Sequence, residues 1–225
     1  MIISESLSNL NIFLKCKKYI KKGVLYDNMK FYLSSYKVGN ESGKLRKLSG
    51  KKLAYISNAL DFSNDSERRK ISEEKDYADL HKLGFSIEKI DLRKYFGKKE
   101  DLKKKLQSFD IVWVRGGNVF VLRQAMKLSG FDSVISEIDI VYGGYSAGVC
   151  VLGPSLKYLD VVDDKTADPY KTNIIWDGLN LIDFLIIPHF QSGHKESDKI
   201  NKLVKDLKTK GVKFKSLRDG EVIII

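Results

Sequence analysis

Cysteine, histidine and long apolar runs are the scarcest features of this 225-residue sequence. The two cysteines, Cys16 and Cys150, are too few for a disulfide framework or for a thiolate metal cage. No apolar run reaches the roughly 20 residues that a membrane-spanning helix needs. Lysines interrupt the apolar residues near the N-terminus, at Lys15, Lys17 and Lys18, which does not fit a signal peptide. We therefore expect a cytoplasmic protein with no membrane contact, no metal and no cofactor.

The length and composition favour a single folded domain. Hydrophobic residues make up 43% of the chain and charged residues 31%, which is typical of globular proteins. One α/β domain commonly has about 200–250 residues. Residues 1–28 carry clustered lysines and no clear strand, unlike the rest of the chain. We predict one α/β domain over residues 29–225 after an N-terminal extension of residues 1–28, with a packed helix over residues 10–22 as the alternative.

The positive charge of the chain does not form a recognisable nucleic-acid site. The formal net charge is +11, and such a surplus can attract nucleic acids or acidic ligands. The lysines are spread along the chain, however, and the densest group lies on a short helical stretch, at Lys98, Lys99, Lys103, Lys104 and Lys105. No basic stripe alternates with aromatic residues. We expect no nucleic-acid partner, and a monomer or a homodimer.

Strand-like and helix-like segments alternate from Phe31 to the C-terminus. The apolar strands are nearly continuous, which is typical of a parallel sheet covered by helices on both faces. The chain stops inside an apolar run, so the last strand is either an edge strand or a truncated one. The predicted strands are residues 52–57, 86–92, 109–114, 138–142, 181–187, 212–216 and 221–225. The predicted helices are residues 64–83, 100–107, 119–128 and 196–208, with a further helix beginning at residue 147.

The most informative motif is G-x-S-x-G at residues 144–148, which follows the apolar run at 138–142. A serine on a sharp turn between a strand and a helix projects from the sheet edge, and the flanking glycines permit the strained backbone. This arrangement exposes the hydroxyl of Ser146 for nucleophilic attack. The motif is short, so its significance depends on a base, an acid and oxyanion donors elsewhere in the chain.

Histidine is the usual base for such a serine because its pKa lies near neutrality. His81 lies inside the first long predicted helix, and we interpret it as a surface residue. His189 follows the strand at residues 181–187, which places it at the same sheet edge as Ser146. We therefore select His189 as the base. His194 is the alternative base or a substrate contact.

The acid of a triad orients the imidazole and stabilises its charged form. In α/β-hydrolases the order along the chain is serine, acid, histidine, so the acid is expected between Ser146 and His189. The residues alone do not choose among five candidate aspartates in this interval, which are Asp160, Asp163, Asp164, Asp168 and Asp177.

Two Gly-rich turns supply candidate oxyanion donors. The N–H of Ala147 begins a helix directly after the serine. Gly116 and Gly117 follow a buried strand and precede another helix, so their backbone can approach a ligand closely. An ordinary tight turn or a phosphate site would use the same residues. We assign an oxyanion donor to this turn and substrate contacts to Gly116, Asn118 and His194.

These motifs together resemble peptidase E, the α-aspartyl dipeptidase family of serine peptidases. The similar segments are RGGNVFVLRQAMKLSG, YGGYSAG, LNLIDFLIIPHF and GHKES, in family order, and the resemblance extends from about Lys30 to the C-terminus. It implies a flavodoxin-like, three-layer α/β fold with a mostly parallel, doubly wound sheet, similar to class I glutamine amidotransferases. It also implies a cytoplasmic enzyme that removes an N-terminal aspartyl residue from a dipeptide without a metal.

The resemblance implies roles for individual residues. Ser146 matches the family nucleophile, His189 matches the histidine, and Gly117 is the preferred second oxyanion donor. The family acid maps onto Asp163 or Asp164.

One departure from the family concerns the substrate. An arginine suited to an acidic side chain follows the histidine in aspartyl dipeptidases, whereas this chain has Lys195 and Lys199 in that segment. Lysine does not reproduce the bidentate fork of arginine. The alternatives are a related exopeptidase or amidase of the cyanophycinase type, and a catalytically silent binding domain with the same fold.

Overall fold

The computed structural model describes residues 29–225 and, for the backbone alone, residues 20–21 and 24–25. The two short N-terminal strands, β1 (Ile20–Lys21) and β2 (Val24–Leu25), pair antiparallel. The remainder of the predicted extension at residues 1–28, including most of the alternative helix at residues 10–22, lies outside the described residues. Cys16 lies there as well.

The centre of the domain is a six-stranded sheet with the order β10-β3-β7-β6-β4-β5. All neighbouring strands are parallel except β10, which pairs antiparallel with β3 at one edge. The strands are β3 (Phe31–Ser34), β4 (Lys52–Ile56), β5 (Ser86–Lys89), β6 (Ile111–Val114), β7 (Val141–Tyr145) and β10 (Val222–Ile224). A separate parallel pair consists of β8 (Leu185–Ile187) and β9 (Phe214–Ser216). The predicted mostly parallel α/β class is confirmed.

Helices connect the parallel strands. They are α1 (Ser42–Leu48), α2 (Ser66–Lys82), α3 (Lys99–Leu106), α4 (Val119–Ser129), α5 (Phe131–Val134), α6 (Ala147–Cys150) and α7 (Ser197–Thr209), with 3₁₀ turns at Asn58–Leu60, Leu92–Tyr95 and Leu159–Val161. Local side chains fix the helix ends. Asp65 caps α2 by accepting the N–H of Arg68, and α4 ends at Gly130, whose φ of 76° is the left-handed conformation that favours glycine. Among the described residues, no helix is both long and apolar enough to cross a membrane.

The alternation of side chains along the strands produces two separate cores. On β4, Ala54 and Ile56 belong to the larger core, whereas Leu53 and Tyr55 belong to the smaller one. Strand β6 divides in the same way, because successive residues of a strand point to opposite faces. The sheet is therefore buried on both faces, which gives the three layers that were predicted.

The strand before Ser146 differs from the prediction. It spans Val141–Tyr145 and not residues 138–142, so Gly144, the first glycine of the motif, lies inside the sheet together with Gly143. A Cβ on Gly143 would lie 2.6 Å from the indole of Trp113, and one on Gly144 would lie 2.5 Å from the carbonyl oxygen of Val114. These glycines allow β7 to approach β6 closely.

Candidate active site

Ser146 lies at the turn between β7 and α6, as the motif predicts. Its backbone has φ 52° and ψ −122°, which is strained for a residue with a side chain. A Cβ on Gly148 would lie 2.1 Å from the carbonyl oxygen of Val114, so only glycine lets α6 begin this close to β6. The turn is therefore held in place by tight packing against the neighbouring strand.

His189 contacts Ser146 directly. It follows β8, is 2% exposed, and places Nε2 3.1 Å from Ser146 Oγ. Its backbone also has a positive φ, of 61°, and its N–H donates to Ser35 Oγ at 2.9 Å. The structure thus brings together the two residues that the sequence selected as nucleophile and base.

The carboxylate that contacts His189 belongs to Asp219, which corrects the expected acid. Asp219 Oδ1 lies 2.7 Å from His189 Nδ1 and also accepts the hydroxyl of Ser35 at 3.0 Å. Asp219 lies in the loop between β9 and β10, so the order along the chain is serine, histidine, aspartate. The sequence search missed it because the search was confined to the interval between Ser146 and His189.

The two aspartates that were expected to contact His189 have other partners. The carboxylate of Asp163 accepts the N–H of Val119, in the first turn of α4, at 2.9 Å. The exposed carboxylate of Asp164 accepts the backbone N–H and the hydroxyl of Thr166 at 2.8 and 2.6 Å. Both aspartates therefore organise the loop after α6, and neither takes the position beside the imidazole.

The Gly116–Gly117 turn lies against the nucleophile. A Cβ on Gly116 would lie 2.7 Å from Ser146 Cβ and 3.1 Å from its Oγ. Gly117 has φ 148°, and a Cβ there would lie 2.3 Å from the carbonyl oxygen of Ala59. Both positions therefore require glycine. Gly116 thus lies beside the serine side chain, and Ala147, the first residue of α6, follows the serine directly.

The side chain of Asn118, expected to contact substrate, makes its hydrogen bonds within the protein. Its Oδ1 accepts the N–H groups of Phe120 and Val121 at 2.9 and 3.1 Å and so caps α4. Its Nδ2 donates to the carbonyl oxygen of Asp164 at 2.8 Å, and the residue is 4% exposed. Asn118 therefore holds the Gly-rich turn against the loop after α6.

His194 stacks on the ring of His189. The ring centroids are 3.8 Å apart and the planes differ by 14°. Tyr36 packs against both rings, with centroid distances of 6.0 Å. His194 Nδ1 accepts the N–H of Glu196 at 3.3 Å. The stack therefore covers one face of the His189 ring.

His189, His194 and Glu196 are close enough to be considered as metal ligands, since one donor atom of each lies within 4.8 Å of the others. An imidazole coordinates through a lone pair in its ring plane. Two nearly parallel rings in a face-to-face stack do not direct their lone pairs at one common point. This arrangement fits a stacked pair and does not fit a preformed metal centre.

The surroundings favour the neutral form of His189. Burial lowers the pKa of the imidazole and His194 lowers it further, while Asp219 and Glu196 act in the opposite direction.

The pKa of the Asp163 carboxyl group is shifted upwards. Burial raises the pKa of its carboxyl group to about 7, Glu196 adds to this rise, and the hydrogen bond from Val119 opposes it.

A model of peptidase family S51 matches residues 42–225 of the chain. The chain belongs to peptidase family S51. This assignment confirms the resemblance to a serine peptidase family that the motifs indicated.

Two curated bacterial relatives are both described as uncharacterized peptidases. This S51 chain is 33% identical over 117 residues to an uncharacterized peptidase of Listeria monocytogenes, covering 50% of the chain and 55% of the relative. It is 31% identical over 150 residues to an uncharacterized peptidase of Listeria innocua, covering 65% and 68% respectively. The matched segments thus span about half of the first relative and about two thirds of the second.

Solved structures show the same fold. A candidate peptidase E protein from Listeria monocytogenes EGD-e superimposes with a TM-score of 0.66 at 23% identity, over 88% of this S51 chain and 98% of that chain. A peptidase from an acI-B1 Actinobacterium gives a TM-score of 0.59 at 15% identity, over 88% and 83% respectively. At these identities the likeness concerns the fold alone.

Proposed function

We propose that this S51 chain is a serine peptidase that hydrolyses small peptides through an acyl-enzyme on Ser146. The observation that carries the proposal is the position of His189. Its imidazole connects Ser146 Oγ, at 3.1 Å, with Asp219 Oδ1, at 2.7 Å, through opposite ring nitrogens. A nucleophile, a base and an acid in this relation form the triad of serine peptidases, whatever their order along the chain.

The triad performs acylation by moving one proton. Ser146 Oγ attacks the peptide carbonyl carbon while His189 Nε2 accepts the hydroxyl proton. The N–H groups of Gly117 and Ala147 stabilise the oxyanion that forms, each by about 3 kcal/mol. His189 then gives its proton to the leaving amine as the C–N bond breaks. A water molecule attacks the ester in the second half-reaction, again with His189 as base.

The electrostatics of His189 suit this exchange. A lowered pKa keeps the imidazole neutral, and therefore able to accept a proton, at neutral pH. Asp219 accepts the hydrogen of Nδ1, which leaves the lone pair of Nε2 directed at Ser146 and stabilises the imidazolium formed during attack.

For the substrate, we propose a dipeptide with a free N-terminus, with N-terminal aspartate as the first residue to test. The resemblance to peptidase E supports this choice. The second candidate is a related exopeptidase or amidase with another preference, and it is favoured by the lysines in place of the family arginine. Lys195 and Lys199 are both exposed, at the end of the loop after β8 and in α7. The cytoplasmic location and the monomeric or homodimeric state remain predictions.

Three alanine variants test the triad: one at Ser146, one at His189, and a control at His81. We expect Ser146→Ala and His189→Ala to lower kcat on the best dipeptide by several orders of magnitude. His81→Ala is the matched control, because His81 is an exposed histidine on α2, and it should keep full activity. A fluorophosphonate should label Ser146 in the parent. Retention of parental activity by Ser146→Ala would exclude this mechanism.

A panel of Asp-X, Ala-X and isoaspartyl dipeptides, with a simple amide, distinguishes the two substrate candidates. A kcat/KM at least about 100-fold higher for Asp-X than for Ala-X would indicate a specific carboxylate contact. Comparable values would favour the broader exopeptidase.

A further inference from the structure

A buried polar cluster lies behind the proposed active site, between α2 and the ends of three strands. Asp76 of α2 accepts hydrogen bonds on Oδ2 from the hydroxyls of Tyr55 and Tyr145, both at 2.7 Å. Arg115 Nε lies 3.3 Å from the same oxygen and donates to the Tyr145 hydroxyl at 3.2 Å. None of these four residues is more than 6% exposed.

The members of this cluster directly precede both proposed catalytic turns. Tyr145 is the residue before Ser146, and Arg115 is the residue before the Gly116–Gly117 turn. We propose that Asp76 is a positioning residue that acts through the hydroxyl of Tyr145 and so fixes the distance between the nucleophile and the oxyanion donors. The inference rests on the proposed roles of Ser146 and Gly117.

The cluster has the properties that such a role requires. Burial and the charge of Asp76 raise the pKa values of both Tyr55 and Tyr145 well above the usual range, so both hydroxyls stay protonated and donate. The charge of Arg115 offsets that of Asp76, and a buried pair of this kind resists separation because either partner alone would be left unpaired. The cluster therefore tolerates little movement.

The strained backbone of Ser146 needs neighbouring contacts that keep it in place, and the cluster supplies such contacts. A residue with φ 52° keeps that conformation only where its surroundings determine it. The ring of Tyr145 also packs beside the second turn, since a Cβ on Gly116 would lie 3.1 Å from Tyr145 Cε2. One side chain thus contacts both the Asp76 carboxylate and the turn that faces the serine.

Two tyrosine variants separate positioning from general stability. Tyr145→Phe and Tyr55→Phe each remove one buried hydroxyl bonded to the same oxygen of Asp76, but only Tyr145 adjoins the serine. We expect Tyr145→Phe to lower kcat and the rate of fluorophosphonate labelling by about 10- to 100-fold, with KM changed less than about twofold. Tyr55→Phe should lower the melting temperature to a similar extent and leave kcat within about twofold of the parent.

A third variant covers the case in which Tyr145→Phe fails to fold. Arg115→Lys keeps a positive charge beside Asp76 but loses the Nε that lies against both Asp76 and Tyr145. We expect the same selective fall in kcat, and Arg115→Lys should retain the parental fold as judged by circular dichroism. A parental kcat in Tyr145→Phe, or an equal loss of kcat in Tyr55→Phe, overturns the positioning role. If Ser146→Ala is fully active, the proposed function fails first, so the two failures are distinguishable.

Discussion

Asp163, which was expected beside His189, and Asp219, which lies there, have different environments. Asp219 is 25% exposed at its side chain and directs its carboxylate at His189 and Ser35. Asp163 accepts a backbone N–H at the start of α4, and burial raises its pKa to about 7. A carboxylate that stabilises an imidazolium must carry its charge, and burial opposes that charge. The environment of a carboxyl group therefore predicts which aspartate pairs with the histidine better than its distance in sequence from the G-x-S-x-G motif does.

The largest expected difference between the two aspartates is in kcat. Asp219→Asn should lower kcat by about 10⁴-fold, because an asparagine amide can donate to Nδ1 and so favour the wrong tautomer of His189. Asp163→Asn should change kcat less than about tenfold, since its carboxylate contacts Val119 and not the imidazole. Steady-state kinetics on the best dipeptide measure both values. An equal loss in the two variants would place both carboxyl groups in the reaction and end the distinction.

The second-largest expected effect is on the free energy of unfolding, to which Asp163 should contribute a dependence on pH. In the unfolded chain Asp163 releases its proton near pH 4, whereas in the folded protein its pKa is about 7. The folded state therefore binds more protons between these values, and the free energy of unfolding falls as pH rises from about 4 to 7, by about 2–4 kcal/mol. Asp163→Asn should abolish this fall.

Urea unfolding at pH 4 and at pH 8 measures the effect. Asp163→Asn should match the parent at pH 4 and exceed it at pH 8. Asp164→Asn is the matched control. Hydrogen bonds from Thr166 lower the pKa of the exposed Asp164, so its replacement should give no gain at pH 8. A variant of Asp163 that is less stable than the parent at pH 8 would contradict the raised pKa.

We expect the smallest effect from Glu196, whose charge acts on both Asp163 and His189, the histidine that Asp219 contacts. Its charge raises the pKa of Asp163 and also that of His189. Glu196→Gln should therefore shift the acid limb of kcat/KM to lower pH, by roughly a few tenths of a unit, and move the stability transition of Asp163 in the same direction. A pH–rate profile and a pH series of unfolding curves test the two shifts. Opposite shifts would mean that Glu196 acts by some route other than its charge.

The sequence was sufficient to predict that Ser146 and His189 lie at the ends of strands. The apolar run before each residue predicted that both lie at strand ends, but β8 pairs with β9 and not with the six-stranded sheet that contains β7, so the expected common sheet edge is not what joins them. Asp219 could not be found in this way, because it reaches His189 from a loop before an antiparallel edge strand. The dipeptide Asp219-Gly220 was a usable turn signal, and Gly220 indeed has φ 96°.

Two smaller differences from the prediction have different causes. Gly144 was assigned to a turn as part of the motif, yet its close approach to Val114, which is distant in sequence, makes glycine necessary inside the strand. The side chain of Asn118 was assigned to a ligand, although its position before a helix suits a cap. The cap bonds Phe120 and Val121, so here the local pattern did contain the answer.

Ser146 and His189, the reacting pair, both have positive φ values, of 52° and 61°. Such conformations typically cost about 1–3 kcal/mol each in a residue with a side chain. The protein therefore gives up thermodynamic stability at the two residues that we propose as nucleophile and base. Glycine at residue 146 would release that strain, so an inactive Ser146→Gly protein should melt at a higher temperature than the active one.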